Sequence, residues 1–185
     1  MICPEMQNYT LHIESIYADS LMLLGENKLA SKSYYQLCKN YNKWKVKQQV
    51  KYTAPSNPPL SNEFGVDEYI RTKANYAECL MNLGQLQHAI DKFENAKKSV
   101  ENEIVYENPM LFVNVCNQLG NCYLTKARSA KRKEDQVKWM KTALDNFESS
   151  LCLINRMVHS DLPDGVVSKI CLNIAMIQSE LENHS

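Results

Sequence analysis

The chain is poor in turn-forming residues, with 5 glycines and 6 prolines among 185 residues. An all-β fold needs turn signals roughly every 8–12 residues, so this scarcity weighs against a many-stranded architecture. Paired cysteines at C-x-x-C spacing are also missing. The seven cysteines are odd in number and scattered, which writes neither a zinc ribbon nor a thioredoxin-like site. Set in apolar helical patterns, they read as reduced thiols that pack as small hydrophobes, a usage typical of intracellular compartments. No run approaches the roughly 20 apolar residues that a membrane-spanning helix needs. The first eight residues carry neither a basic flank nor an apolar run, so no signal peptide is expected. An intracellular location, nucleus or cytoplasm, follows as the expectation. Charge of one sign is lacking too: 21 basic and 21 acidic side chains cancel, which disfavours generic adhesion to nucleic acid or membrane. Catalytic signatures are absent, whether a phosphate-binding Gly-rich loop, a nucleophile elbow or H-E-x-x-H. Glu101 and Glu103 alternate at the end of an expected helix, where solvated carboxylates are commonplace. The sequence therefore predicts no enzyme, no cofactor and no metal.

What the chain does have is helical period. Between Thr10 and Leu24, the residues Leu11, Ile13, Ile16, Tyr17, Leu21 and Leu24 fall on one broad apolar side. Residues 45–66 read KVKQQVKYTAPSNPPLSNEFGV, with Pro55, Pro58 and Pro59 set among Ser and Asn. Each proline lacks an N–H and clashes with the preceding turn. The composition predicts an irregular linker over 45–66, without regular structure at 50–62.

Internal repetition is the strongest signal. YADSLMLLG at 17–25 and YAECLMNLG at 76–84 share six of nine positions at an offset of 59, and Ala30, Tyr34 and Leu37 answer to Ala89, Phe93 and Ala96. A third copy starts at Leu119-Gly120-Asn121-Cys122-Tyr123 and resumes at Ala143, Phe147 and Ser150, and a further first helix is suggested by Cys171, Ile174, Ala175 and Gln178. Small residues on the first helix (Ala18, Ala77, Gly120) and on the second (Ala30, Ala89, Ala143) let two helices approach closely. The aromatics Tyr34, Phe93 and Phe147 fill the space between a pair and its neighbour. Gly25 and Gly84 fall between helices, where positive φ ends a helix at little steric cost. Each unit is then a helical hairpin that cannot bury its apolar face alone, so neighbours stack.

This pattern, with Tyr17, Tyr76 and Tyr123 completing it, resembles the tetratricopeptide repeat, whose period is about 34 residues. The resemblance implies an all-α fold of about 3.5 hairpin repeats stacked in a right-handed superhelix, with about seven helices and no sheet. One domain spans 1–185: repeat 1 at about 11–44, the Pro-rich insert at 45–66, repeat 2 at 70–103, repeat 3 at 113–157 and a partial repeat 4 at 166–183. Repeat 3 is stretched. Gly120 and Ala143 lie 23 residues apart where Ala77 and Ala89 lie 12 apart, and the extra residues, Ala127 to Val137 among them, either lengthen the hairpin arms or loop out. Residues 13–38 and 69–90 resemble the N-terminal part of anaphase-promoting complex subunit 7, through Ala18-Asp19-Ser20-Leu21, a long insert and then Ala77-Glu78-Cys79. That resemblance covers roughly the first 100 residues of a family whose members are several times longer. It implies a non-enzymatic scaffold of a cell-cycle ubiquitin ligase. Its partners would be other subunits of a larger assembly, with self-association through the N-terminal repeats.

Three surfaces follow as candidates. Asn114, Asn117 and Asn121, spaced i, i+3, i+7, share a helical face that lines the expected groove, with Asn75 on the neighbouring helix; Asn can hold the backbone of an extended peptide. The carboxylate clamp of co-chaperone repeats is not matched. Its positions hold Ser15, Asp19, Asn75, Asn114 and Gln118, and Asp19 would repel a carboxylate. The apolar residues Leu11 to Leu24 span more than one helical face, so Met22 and Leu23 are expected at a self-association surface. At the other end, the apolar segment 166–177 runs into a polar tail that is expected to cap it in part. Basic side chains cluster at Lys39, Lys43, Lys45, Lys47 and Lys51, and again at Lys126, Arg128, Lys131, Arg132, Lys133, Lys138 and Lys141. The second cluster is read as free of interleaved aromatics and of any nucleic-acid module. It therefore fits a solvated arm or an acidic partner protein better than RNA. Its Lys131-Arg132-Lys133 run is a short nuclear-targeting candidate.

Overall fold

A computed structural model describes residues 4–51, 64–103, 108–157 and 165–183. Among these residues the chain forms seven helices and no strand: α1 (Pro4–Leu23), α2 (Asn27–Lys51), α3 (Val66–Asn82), α4 (Leu86–Glu103), α5 (Pro109–Ser129), α6 (Lys133–Ile154) and α7 (Val166–Glu182). The chain divides into two compact units, Met1–Gln85 and Leu86–Ser185.

In the first unit α1 packs on α2 and α2 on α3. The turn between α1 and α2 is closed by Gly25 at φ 77°. The N–H of Gly25 donates to Met22 O at 3.0 Å and that of Glu26 to Leu21 O at 2.9 Å. The same pair of bonds ends α3: Gly84, at φ 74°, donates to Met81 O at 2.9 Å and Gln85 to Leu80 O at 2.9 Å. Both satisfy helix-end carbonyls through a left-handed glycine. The conserved local geometry sits at the 59-residue offset of the sequence repeat. Ala18, Ala30 and Cys79 are fully buried around Tyr34, with Leu21 beside them and Met22 and Tyr76 packed on the edge. A second cluster joins Leu11, Leu37, Tyr41, Trp44 and Phe64, with Tyr69 stacked on Tyr41 at 4.1 Å.

The insert is shorter than its composition suggests. α2 runs to Lys51, because the first helix-breaking proline comes only at position 55. At the far end Phe64 is 1% exposed and donates its N–H to Asn8 Oδ1 at 2.7 Å. That buried aromatic anchors the returning chain, and Glu68 then accepts the Gly65 N–H at 3.0 Å to start α3. Positions 50 and 51, expected to be irregular, are helical; the rest of the expected irregular stretch lies outside the described residues.

In the second unit α4 packs on α5, α5 on α6 and α6 on α7. Asn108 caps α5 by accepting the Leu111 N–H at 3.2 Å, with Pro109 in the first turn. The added residues of the third copy lengthen both arms: α5 continues to Ser129 and α6 restarts at Lys133. Gly120 makes the arms' close approach possible. A Cβ built there would meet the Phe147 ring at 2.8–3.0 Å, and Phe147 is fully buried. None of the described cysteines is in a disulfide. Burial pushes the Cys79 thiol up to about 11 and those of Cys116 and Cys122 to about 12, so these thiols stay protonated and inert at neutral pH.

The Gly120–Phe147 contact makes a direct test. Gly120→Val should lower unfolding stability by about 1–3 kcal/mol through overpacking, even though glycine is the poorer helix former. Equal or higher stability in urea denaturation would show that the two side chains do not meet.

Candidate interaction surfaces

Among the described residues no group of His, Cys, Asp or Glu could hold a metal ion. No helix there is long and apolar enough to cross a membrane. The most distinctive surface is the outer face of α1. Met6, Tyr9, Ile13, Ile16, Tyr17, Leu23 and Leu24 are all exposed, Ile13 to 67% and Leu23 to 87%. Met6, Tyr9, Ile13, Ile16, Ser20 and Leu23 are spaced three, four, three, four and three residues apart, the rhythm of a helical seam.

The repeat offset explains what this face is. Ile13 corresponds to Thr72, and Ser20 to Cys79, both on α3; Thr72 is 2% exposed and Cys79 0%, since α2 packs against α3. Tyr17 corresponds to Tyr76, whose ring lies 6.3 Å from that of Tyr35 on α2, whereas Tyr17 is 58% exposed. The face of α1 that an interior helix of the array buries has no described element over it. Met22, expected at this surface with Leu23, points the other way. It follows Leu11, Ser15 and Ala18 along the inner side of α1, packs on the Ala18–Tyr34 cluster, and its Sδ lies 3.7 Å from the Tyr34 Oη. Leu23 alone of that pair is outward. α7 shows a smaller version of the same feature, with Leu172 60% and Met176 39% exposed, so the polar tail leaves part of its apolar side bare.

Asn75 does not reach outward as a peptide ligand. Its Nδ2 donates to Asp19 Oδ1 at 3.1 Å and to Tyr34 Oη at 3.3 Å, while the Tyr34 hydroxyl itself donates to Asp19 Oδ1 at 2.5 Å. Burial first, and the Asp19 carboxylate second, raise the pKa of the Tyr34 hydroxyl far above its ordinary value. One residue from each of α1, α2 and α3 thus closes a polar triangle inside the first unit. The asparagine row lies in the second unit. Asn114 is exposed. Asn121 donates to Gln118 at 3.4 Å and accepts from Asn173 of α7 at 3.3 Å, which commits it to holding α7. Asn117 keeps a buried Oδ1 with no hydrogen-bond partner. Of the row, Asn114 is the exposed member, and the buried Oδ1 of Asn117 is closed to an outside ligand.

The basic segment does contain an aromatic, contrary to the sequence reading. Trp139 lies between Lys138 and Lys141, stacked on Tyr123 at 5.7 Å and 16°. Lys126 Nζ sits 3.9 Å and Lys138 Nζ 4.6 Å from its ring centroid. A lone Trp within a run of lysines carries little signal in sequence. Only the pairing of α5 with α6 brings Tyr123, Lys126 and Trp139 together. Compared with protein-family models and with curated proteins, the chain matches none.

The polar triangle is testable by unfolding. Asp19→Ala should cost about 1–3 kcal/mol, because it deprives a buried hydroxyl of its acceptor, and adding Tyr34→Phe should restore part of the loss. A double variant as unstable as the sum of the two single variants would mean that the groups are uncoupled.

Proposed function

We propose that the protein is a non-enzymatic protein–protein interaction scaffold built on tetratricopeptide-like repeats, and that its α1 face receives a second copy of the chain. The observation that carries this reading is the exposed apolar seam of α1. At the matching positions Thr72 and Cys79 of α3, a packed helix covers the side chain. Bare apolar surface of this extent marks an interaction site, and a seam of heptad-like spacing is self-complementary when two copies meet. The repeated glycine turn and the fully buried alanines support the tetratricopeptide-like superhelix. The resemblance of residues 13–38 and 69–90 to anaphase-promoting complex subunit 7 supports a place in a cell-cycle ubiquitin ligase, in nucleus or cytoplasm. That family's N-terminal repeats self-associate.

A second reading has its own observation. Asn114 is exposed on the face expected to line a peptide groove, where its amide can hold the backbone of an extended peptide. In that reading the protein is a peptide-binding adaptor.

Two measurements separate these readings. Light scattering after gel filtration should find a dimer at micromolar concentration, and Ile13→Glu with Ile16→Glu should convert it to a monomer of unchanged helicity. A wild-type monomer under those conditions would sink the self-association reading. Asn114→Ala leaves the seam intact. If the adaptor reading holds, this variant should lose about 1–3 kcal/mol of affinity for a bound peptide while remaining dimeric; undiminished peptide binding would remove it.

A further inference from the structure

The lengthened α5–α6 arms carry a second surface, of different chemistry, and nothing about it depends on α1. Lys126 Nζ donates to Gln87 Oε1 at 2.9 Å, and Gln87 is the second residue of α4. From there α5 continues past the start of its neighbour, and the residues that follow are the added length of the third copy. Residues 126–141 hold seven basic side chains against Glu134 and Asp135. Two of the seven are paired locally: Arg128 with Glu180 at 3.7 Å and Arg132 with Asp135 at 2.7 Å. Among the described residues, Lys126, Lys131, Lys133, Lys138 and Lys141 meet no carboxylate. Lys131, Lys133, Lys138 and Lys141 are exposed. Trp139 holds two of these ammoniums, Lys126 and Lys138, against one ring. Cation–π contact fixes them but leaves their like charges uncompensated, so an anion placed beside the ring relieves repulsion that the fold itself builds in.

We propose that this tip docks an acidic segment of a partner protein, a stretch of Glu and Asp side chains that pairs with Lys126, Lys131, Lys133, Lys138 and Lys141. Protein is favoured over nucleic acid by three observations. The Trp139 ring carries lysine ammoniums and the Tyr123 ring is 8% exposed, so neither serves as the open stacking platform that single-stranded nucleic acid uses. Glu134 and Asp135 stand within the cluster, where a continuous phosphate backbone would run into them. Individual carboxylates of a peptide can be spaced around that pair.

The test uses the full chain and a short fluorescein-labelled peptide rich in Glu and Asp, followed by fluorescence anisotropy at low and moderate salt. A single-stranded RNA of matched net charge is titrated in parallel. Wild type should bind the peptide more tightly than the RNA, weaken as salt screens the contact, and shift its tryptophan emission on binding. That shift should vanish in Trp139→Phe, which keeps Trp44. Lys131→Glu, Lys133→Glu and Lys141→Glu together should weaken peptide binding by about tenfold or more with unchanged helicity. Lys28→Glu, Lys32→Glu and Lys39→Glu, an equal charge change in the first unit, should leave it intact. The proposal is overturned if wild type fails to bind the peptide at low salt or if the tip variant binds as well as wild type. It is also overturned if the control variant loses binding equally, or if the RNA binds more tightly than the peptide.

Discussion

Close helix contact at a small residue is the constraint on which the packing of each unit depends. Two helices approach only as near as the side chains between them allow, and Ala18, Ala30, Ala89 and Ala143 are all fully buried. At Gly120 the demand is stricter, since Phe147 occupies the space a methyl group would need. Once these points are set, each hairpin has one inner side and one outer side. The outer side of a helix becomes interior only when another helix lies on it. Exposure of Ile13 and burial of its counterpart Thr72 are therefore one rule acting at two places in the array. The seam on α1 is a consequence of stacking geometry as much as of its own composition.

The polar triangle of Asp19, Tyr34 and Asn75 adds specificity to that packing. Tyr34 takes the place that Phe93 and Phe147 take in the other copies, and a hydroxyl at that depth needs an acceptor. Asp19 supplies it from α1, and Asn75 then satisfies the carboxylate from α3. A shifted register of α3 would strip Asn75 of both partners while Asp19 and Tyr34 stay bonded to each other, so the triangle helps to fix how α3 seats on the α1–α2 hairpin. The third copy, with phenylalanine, has no such lock. There Lys97 to Asn146 at 2.9 Å and Tyr123 to Glu94 at 2.8 Å tie α4 to its neighbours instead.

The helices and their glycine turns were legible in the sequence because both are local. Apolar spacing marks a helix, and positive φ asks for glycine wherever the chain must turn. What is not legible is non-local or lies at edges. Pro-rich composition over 45–66 hides the continuation of α2 to Lys51, because proline acts only from its own position and the preceding turn. Nothing in the neighbours of Phe64 announces the aromatic cluster it joins. Leu21 to Leu24 is apolar in every direction, and such a run does not say that Met22 packs inward. The partners of Asn75, Asp19 and Tyr34, come from two other helices. Trp139 is inconspicuous within a run of charge. In each case a contact between helices, absent from any single window of sequence, decides the side chain's role.

The two exposed surfaces obey different physics. The α1 seam is apolar, so its association follows buried area and responds little to ionic strength. The α5–α6 tip is cationic, and its attraction falls within a Debye length of about 8–10 Å in ordinary salt. One surface belongs to each compact unit. A partner held at the seam therefore need not resemble one held at the tip. That difference suits the scaffold proposed above. Apolar contact supplies lasting association, while a charged arm recruits by steering and releases as conditions change. Among the described residues, the exposed lysines of the tip lie along an arm and the bare apolar side chains along a helix, and both arrangements offer surface to another chain.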